Sequence, residues 1–260
     1  MNNLSKTSQA LLITGGSSGI GAALALLYAE DGRFSHIFLC GRNRERLNAV
    51  KQDCISRNPE ITVAVKGLDV RDKEGMRTWI NACHRTAPLR LVIAGAGISG
   101  GTGEGGESEE AAREIFDINL GGVLNTIHPA LDLMTAGRVA VIGSMAGYFS
   151  LLGAPAYAAS KAGVMRYTEA LASHYNQLSD SADLSLIVPG FVKSRITDRN
   201  DFKMPFLMGS DRAASIIQRQ LDKKQMVIIF PWPMAMITAI MRRLPGGLLR
   251  QLLRIMPEKS

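Results

Sequence analysis

The sequence predicts an α/β fold, a doubly wound parallel sheet of about seven strands with helices on both faces. Three observations support this fold class. Short apolar runs alternate with longer amphipathic segments, the first apolar run leads into a glycine-rich turn, and the composition (46% apolar, 20% charged) is typical of a globular protein. Such an alternation of strands and helices implies right-handed crossover connections.

The predicted strands are continuous apolar runs, which suit a sheet covered on both faces. They are Ala10–Thr14, His36–Cys40, Ile61–Val65, Leu89–Ala94, Arg138–Ile142, Leu184–Val188 and Val227–Phe230. The predicted helices lie between the strands and are longer and amphipathic. They are Gly19–Asp31, Arg44–Arg57, Lys73–Arg85, Ser108–Thr135 and Pro155–Leu178. The glycine-rich segment Ile98–Glu107 is expected to form a mobile loop before the fourth helix.

The 260 residues are expected to form one domain, because no internal repeat and no linker divides the chain. The N-terminus shows no signal peptide, and the longest apolar stretch, residues 227–241, is shorter than the roughly 20 residues of a membrane-spanning helix. Three cysteines without a CxxC motif indicate free thiols in a reducing compartment. We therefore expect a cytoplasmic protein.

The net charge of +7 is concentrated near the C-terminus. Residues 211–260 carry nine basic and three acidic side chains, or +6, whereas the first 210 residues carry only +1. This distribution argues against a general polyanion-binding surface, so no nucleic-acid partner is expected. The four histidines are far apart in the sequence and show no metal-ligand spacing, so no metal site is expected.

The first predicted strand is followed by a glycine turn, TGGSSGIG, at residues 14–21. A strand, a glycine turn and a helix N-terminus in this order place backbone N–H groups against a pyrophosphate. We expect Gly15 to permit the turn, Gly19 to allow the phosphates to approach, and Gly21 to allow close helix packing. The predicted cofactor-binding residues of this turn are Gly15, Ser17, Ser18, Gly19, Ile20 and Gly21.

The end of the second strand indicates the form of the dinucleotide. An acidic residue at this position holds the ribose 2′-hydroxyl of NAD, whereas an arginine accommodates the 2′-phosphate of NADP. This chain has Gly41 followed by Arg42, which favours NADP, although a solvated arginine at the start of a helix is the simpler alternative. Asp69 and Val70, after the third strand, are expected at the adenine edge.

Tyr157 and Lys161 are four residues apart on a predicted helix and therefore project from one face. An ammonium group close to a phenol lowers the pKa of the phenol, so that the tyrosine can exchange a proton with a carbonyl oxygen. Ser144 follows the fifth strand, and the carboxyl ends of parallel strands are where open α/β sheets bind ligands. These three residues are the predicted catalytic group.

Together, these motifs resemble those of the short-chain dehydrogenase/reductase family, in its branch of about 250 residues. The resemblance covers Ala10 to about Ser194. It rests on TGGSSGIG (Thr14–Gly21), Asp69-Val70, Asn119 in FDINLGG, Ser144 in IGSMAG, YAASK (Tyr157–Lys161) and Pro189-Gly190. It implies a Rossmann-like fold and an oxidoreductase that uses NADP, or NAD, on a carbonyl/secondary alcohol pair. A homodimer or homotetramer is also implied.

The resemblance assigns roles to individual residues. Tyr157 is the general acid/base, Lys161 lowers its pKa and binds the nicotinamide ribose, and Ser144 polarises the substrate carbonyl. Asn119 is expected to distort the fourth helix and to hold a water that links Lys161 to solvent. The residues expected to flank the nicotinamide are Pro189, Gly190, Phe191 and Val192, with Ser194 offering its hydroxyl to the carboxamide.

One segment departs from the family pattern. After the fourth strand the family usually has Asn-Asn-Ala-Gly, whereas this chain has Ala94, Gly95, Ala96 and Gly97. The missing amides are expected to remove hydrogen bonds that brace the sheet and to affect cofactor affinity. The small side chains still admit the adenosine ribose, so Ala94, Gly95 and Ala96 stay among the predicted cofactor-binding residues.

Two segments concern the substrate and partners. Residues 193–210 occupy the position of the family's substrate lid, and their apolar side chains favour a lipophilic substrate or simply pack against the core. These side chains are Phe202, Met204, Phe206, Leu207 and Met208. The basic appendage, residues 231–260, is predicted to form two short helices, 231–244 and 246–256. It suits an anionic membrane surface, a dimer contact or a cover over the substrate pocket.

Two other functions are alternatives to a small-molecule oxidoreductase. A sugar-nucleotide epimerase or dehydratase also contains Tyr-x-x-x-Lys, but it normally has another glycine spacing and a longer substrate domain. A non-catalytic NADP-binding regulator would be expected to lack Ser144, Tyr157 or Lys161, and this chain has all three.

Overall fold

A computed structural model describes residues 8–100, 106–149, 153–199, 204–241 and 243–244. Its seven strands form one parallel sheet in the order β3-β2-β1-β4-β5-β6-β7, which confirms the predicted doubly wound fold. The strands are β1 Ala10–Thr14, β2 His36–Gly41, β3 Thr62–Gly67, β4 Leu89–Ala94, β5 Arg138–Ile142, β6 Asp183–Pro189 and β7 Val227–Phe230.

The described residues form eight α-helices around this sheet. They are α1 Gly19–Asp31, α2 Arg44–Arg57, α3 Lys73–Thr86, α4 Glu109–Phe116, α5 Gly122–Leu133, α6 Pro155–Tyr175, α7 Ser210–Asp222 and α8 Trp232–Met241. A π-helix, Asp117–Gly121, joins α4 to α5, and a 3₁₀ turn, Met145–Tyr148, follows β5. The helix predicted over residues 108–135 is therefore divided by a π-helix in its middle, and it ends at Leu133.

The two faces of the sheet have separate cores, because successive side chains of a strand point to opposite sides. On one face, Leu11 and Ile13 of β1 pack with buried residues of α1, α2 and α7. On the other face, Ala10 and Leu12 pack with buried residues of α3, α5 and α6. The continuous apolar runs in the sequence thus reflect strands that are buried on both sides.

Several bounds differ from the prediction, two of them for local reasons that the contacts show, and one helix is additional. Strand β3 begins after Ile61, whose N–H donates to the carbonyl of Asn58 in the preceding turn. Helix α6 ends before Asn176, whose side-chain amide exchanges hydrogen bonds with the backbone of Leu184. Helix α7 was not predicted at all, although its buried residues follow helical spacing; they are Ala213, Ala214, Ile217 and Leu221.

The C-terminal appendage is only partly described. Helix α8 lies within the first predicted helix, and the second, residues 246–256, lies outside the described residues. No helix in the described part of the chain is long and apolar enough to cross a membrane. The same residues contain no group of three or more side chains that could hold a metal ion. Cys40, Cys54 and Cys83 are buried free thiols.

The strand order positions the functional site. The chain leaves β1 toward β2 and β3 on one side and later returns to place β4 on the other side of β1. Crossovers that run in opposite directions leave a crevice at the carboxyl ends of β1 and β4, which is where ligands bind in open α/β sheets.

Candidate active site

A cleft of about 980 Å³ occupies this carboxyl edge of the sheet. Most of the predicted site residues line it. They are Gly15, Ser17, Ser18, Gly19, Ile20, Gly21, Arg42, Asp69, Val70, Gly95, Ala96, Ser144, Tyr157, Lys161, Pro189, Gly190, Val192 and Ser194. Ala94 and Asn119 do not line the cleft, because both are buried beneath it.

The glycine turn after β1 requires residues without a side chain. Gly15 has φ +72°, and a Cβ on it would lie 2.7 Å from the carbonyl oxygen of Gly95. A Cβ on Gly21 would lie 2.5 Å from the carbonyl oxygen of Gly15. The first turn of α1 has no side-chain cap and no acidic residue, so its N–H groups suit an anion. The turn therefore fits a dinucleotide pyrophosphate.

Thr14 braces the segment that departs from the family pattern. Its buried hydroxyl accepts hydrogen bonds from the backbone N–H groups of Gly95 (3.2 Å) and Ala96 (3.4 Å). A Cβ on Gly95 would lie 2.9 Å from the carbonyl oxygen of Thr14, so the small residue also allows this close approach. The hydroxyl of Thr14, on the neighbouring strand, therefore braces the segment that lacks the amides.

Basic residues line the cleft beyond β2. Arg42, Asn43 and Arg46 all contribute to its wall, and Asn43 caps α2 by accepting from the N–H of Arg46 at 2.8 Å. Arg42 Nη1 lies 3.3 Å from Glu114 Oε1 on α4. No acidic side chain follows β2 directly, and Arg42 and Arg46 place two guanidinium groups at this end of the cleft.

Asp69 also lines the cleft, but Arg71 holds its carboxylate. The guanidinium of Arg71 donates from Nη2 to Asp69 Oδ2 at 2.7 Å and from Nε to both oxygens at 3.1 Å. These hydrogen bonds lower the pKa of Asp69. The carboxylate therefore stays charged at neutral pH and contributes a fixed acceptor beside the cleft.

Ser144, Tyr157 and Lys161 meet at the opposite end of the cleft. The hydroxyls of Ser144 and Tyr157 are hydrogen-bonded to each other. Ser144 Oγ also accepts from the N–H of Ala146 at 3.1 Å, which begins the 3₁₀ turn after β5. Lys161 is buried and donates from Nζ to the carbonyl oxygen of Ile142 at 2.9 Å.

Burial controls the protonation of this group. It raises the pKa of Tyr157 above its ordinary value, and the hydrogen bond with Ser144 offsets part of the rise. It also lowers the pKa of Lys161 to about 8. The lowered pKa that the Tyr157–Lys161 spacing predicted is therefore wrong for this structure, because the burial of the phenol prevails and the ammonium is bonded to a backbone carbonyl.

The predicted distortion of the fourth helix is confirmed, since Asn119 lies in the π-helix between α4 and α5. Its side chain accepts from the N–H of Ile98 and donates to the carbonyl of Ile98, both at 2.9 Å. It also donates to Ser160 Oγ at 3.1 Å. Asn119 thus fixes the loop after β4 to α6, and its role in proton supply stays a prediction.

Comparison with known proteins decides the family, because the model of the short chain dehydrogenase family matches residues 9–204. The chain belongs to the short-chain dehydrogenase/reductase family. It is 33% identical over 241 residues to an uncharacterized oxidoreductase of Myxococcus xanthus, covering 91% of this chain and 93% of the relative. It is 31% identical over 196 residues to a 3-oxoacyl-(acyl-carrier-protein) reductase of Rickettsia conorii, covering 74% and 76%.

Two solved structures share the fold. A short-chain dehydrogenase/reductase of Burkholderia phymatum in complex with NAD has a TM-score of 0.79 at 19% identity, covering 99% of both chains. A short-chain dehydrogenase of Sphingobium yanoikuyae in complex with NADPH has a TM-score of 0.78 at 21% identity, covering 97% of this chain and 98% of that one. This family member is thus an NAD(P)-dependent dehydrogenase/reductase that acts on a small molecule.

The segment after β6, which the sequence predicts to flank the nicotinamide, borders the glycine turn of this dehydrogenase/reductase. Ser194 lies opposite the glycine turn, since a Cβ on Gly19 would lie 3.1 Å from Ser194 Cβ. The N–H of Ser194 donates to Thr197 Oγ1 at 2.8 Å, which fixes the turn. Phe191 does not line the cleft, although its neighbours Gly190 and Val192 do.

The predicted substrate lid of this dehydrogenase/reductase is partly described. Phe206 and Leu207 are 54% and 46% exposed, so they do not form a closed apolar wall. Met208 packs against the core, and Phe202 lies outside the described residues. None of the four described apolar side chains of the lid, Met204, Phe206, Leu207 and Met208, lines the cleft, so an apolar inner wall stays a prediction, whereas Met208 fits the alternative of packing against the core.

Asn43, Arg46, Glu107 and Glu114 are among the cleft residues of this family member that the sequence did not predict. Asn43 and Arg46 follow Arg42, and an N-cap asparagine with a basic residue three positions later could have indicated them. Glu107 lines the cleft beside Tyr157, and Glu114 pairs with Arg42 across it. No local pattern reveals either glutamate, because both contacts are made over long sequence separations.

Proposed function

We propose that this dehydrogenase/reductase uses NADP to interconvert a lipophilic carbonyl compound and the corresponding secondary alcohol. One observation carries the proposal. A single cleft holds Ser144, Tyr157 and Lys161 at one end and Arg42 and Arg46 at the other, with the glycine turn between them. These groups would hold the reactive ring, the 2′-phosphate and the pyrophosphate, respectively.

The proposed chemistry divides between cofactor and protein. When bound, the nicotinamide supplies or accepts the hydride. Tyr157 donates its phenolic proton to the carbonyl oxygen during reduction and takes a proton from the hydroxyl during oxidation. Ser144 orients the same oxygen, and the buried Lys161 ammonium places positive charge near the phenolate that forms. The raised pKa of Tyr157 keeps its proton available at neutral pH, which favours reduction.

The preference for NADP rests on the basic residues after β2. A charge-assisted hydrogen bond to a phosphate contributes about 1.5–3 kcal/mol, or roughly 10- to 100-fold in affinity. We expect Arg42→Asp to lower kcat/KM for NADPH by about that factor and to raise kcat/KM for NADH. Arg57→Asp, at an exposed arginine outside the cleft, is the control. An unchanged NADPH/NADH ratio in Arg42→Asp would contradict the preference.

The lipophilic substrate is supported by the apolar side chains that line the cleft, Ile98, Ile115, Val192 and Ile196. The Rickettsia relative is named as a reductase of 3-oxoacyl groups, which are lipophilic carbonyl compounds. NADPH oxidation with ketones of increasing chain length tests this. Burial of each methylene contributes about 0.8 kcal/mol, so kcat/KM should rise about threefold to fourfold per carbon. A flat series, or a preference for sugars, would contradict the proposal.

We also propose that the chain forms a homodimer or homotetramer through helix α8. Helix α8 contains no charged residue and exposes Trp232, Met236, Ile237 and Ile240 next to the edge strand β7. An uncharged apolar face favours the homodimer or homotetramer over the anionic membrane contact. Light scattering of wild type and Trp232→Ser tests the oligomer, which the substitution should weaken. Liposome co-sedimentation tests the membrane contact. If the wild-type protein pellets with anionic liposomes and Trp232→Ser does not, the membrane contact is favoured over the oligomer.

A further inference from the structure

The carboxylate of Glu107 caps the helix that carries Tyr157. Glu107 Oε2 accepts from the N–H of Ala156 at 2.5 Å, and Oε1 accepts from the N–H of Tyr157 at 3.3 Å. The helix provides no cap of its own, because its N-cap residue, Ala154, has no side-chain acceptor and Pro155 has no N–H. Glu107 thus satisfies the N–H groups of the second and third residues of α6 from a remote segment.

The surrounding backbone makes room for this contact. A Cβ on Gly100 would lie 2.9 Å from Glu107 Cγ, 3.3 Å from Glu107 Oε1 and 3.0 Å from Ile115 Cδ1. Gly106 has φ +80°, and a Cβ there would lie 3.7 Å from the carbonyl oxygen of Gly153. The chain therefore turns at Gly106, next to the segment before α6. The Glu107 side chain fills the space that a side chain at position 100 would occupy.

We propose that Glu107 is a positioning residue for Tyr157, an inference that rests on the proposed role of Tyr157 as the proton donor. Tyr157 lies in the first turn of α6, which frays unless its N–H groups are satisfied. Its partner Ser144 belongs to a different element, the turn after β5. The two hydroxyls stay aligned only if the first turn of α6 is fixed, and Glu107 fixes it. A carboxylate is also favoured there by the helix dipole.

Measurements of kcat and of the Kd for NADPH distinguish a positioning role of Glu107 from a general effect on the fold. Glu107→Ala should lower kcat by about 10-fold or more, because small misplacements of reacting groups have effects of up to roughly 100-fold. The Kd for NADPH should stay within about twofold, since the hydrogen bonds that the structure gives Glu107 go to the first turn of α6 and not to the glycine turn or the basic end. Glu107→Gln should recover part of kcat, because its amide oxygen still accepts one N–H. Glu109→Ala, at an exposed carboxylate on α4, is the control.

A double-mutant cycle tests the contact itself. Gly100→Ala should lower kcat in the wild-type background, because the new methyl group displaces the Glu107 side chain. In the Glu107→Ala background the same substitution should have less than a twofold effect, because the Glu107 atoms are gone and only the end of the Ile115 side chain, at 3.0 Å, stays close to the new methyl group. Full additivity of the two losses would overturn the proposal. So would a Glu107→Ala enzyme with wild-type kcat, or one that loses NADPH affinity as much as kcat.

Tyr157→Phe measured alongside separates this inference from the proposed function. If Tyr157→Phe is inactive and Glu107→Ala keeps wild-type kcat, only the positioning role fails. If Tyr157→Phe keeps its activity, the proposed function of Tyr157 fails, and the positioning role fails with it.

Discussion

Lys161 donates a hydrogen bond from Nζ to the carbonyl oxygen of Ile142, 2.9 Å away. Ile142 ends β5, and Ser144 follows two residues later, so this bond ties α6 to the strand that presents Ser144. A Cβ on Gly97 would lie 3.6 Å from the same Nζ and 3.2 Å from Asn119 Oδ1. The buried ammonium is therefore enclosed by β5, the loop after β4 and the π-helix.

Replacement of Tyr157 by Phe tests the proposed proton donor. Positioned acid/base groups contribute about 10²- to 10⁴-fold to rate, so kcat should fall within this range while the Kd for NADPH stays within about twofold. Tyr167→Phe is the matched control, because Tyr167 lies on the same helix and its hydroxyl is bonded to His128 at 2.6 Å. A Tyr157→Phe enzyme within threefold of wild type would exclude the assignment.

The raised pKa of Tyr157 predicts opposite pH behaviour in the two reaction directions. Reduction uses the protonated phenol, which is the main form at neutral pH. Oxidation uses the phenolate, whose population grows with pH below the pKa. We therefore expect kcat for alcohol oxidation to rise between about pH 6 and 9, whereas kcat for ketone reduction does not rise. The result that would contradict this is an oxidation rate independent of pH in that range.

Burial of Lys161 predicts that the free energy of unfolding is lowered while the lysine is charged and recovers at higher pH. Its pKa is about 8 in the folded chain, against an ordinary value of 10.5. Below pH 8 the charged group is disfavoured in the folded state by about 3 kcal/mol, and this cost is lost as pH rises from 8 to 10.5. Lys161→Met should therefore be more stable than wild type at pH 7. The difference between their free energies of unfolding should be smaller at pH 9.5.

Urea denaturation at pH 7 and pH 9.5 measures this difference, and Lys66→Met, at an exposed lysine, is the control for loss of a lysine. A difference for Lys161→Met that stays constant or widens with pH would contradict the predicted cost of burial.

The motifs predicted most of the fold and the centre of the site because their signals are local. A strand, a glycine turn and a helix start occur within Ala10–Asp31, and Tyr157 and Lys161 are one helical turn apart. The parallel strands then bring these local features to one edge of the sheet. The bounds of elements were less predictable, since side chains such as Asn176 end a helix through contacts with another strand.

The contacts that could not be predicted are those that depend on tertiary packing. Glu107 and Tyr157 are 50 residues apart, and Arg42 and Glu114 are 72 apart. The pKa of Tyr157 was predicted with the wrong sign for the same reason. The sequence shows the neighbouring lysine, whereas burial of the phenol becomes visible only in the folded chain.

Thr14 braces the segment Ala94–Gly97, which lacks the amides usual in the family. Its hydroxyl accepts from the N–H groups of Gly95 and Ala96 and donates to the carbonyl of Ile93 at 3.5 Å. Thr14→Val keeps the shape of the side chain and removes the oxygen, so two partly buried N–H groups lose their acceptor. We expect unfolding free energy to fall by about 1–3 kcal/mol.

NADPH should also bind Thr14→Val more weakly, because Gly95 and Ala96 line the cleft where the adenosine ribose is expected. Thr168→Val is the matched control. Thr168 is an equally buried threonine, but its hydroxyl only donates to the carbonyl of Val164 within α6. Urea denaturation and NADPH titration of both variants test the difference. If Thr14→Val matches Thr168→Val in stability and in NADPH affinity, the hydroxyl of Thr14 does not brace this segment.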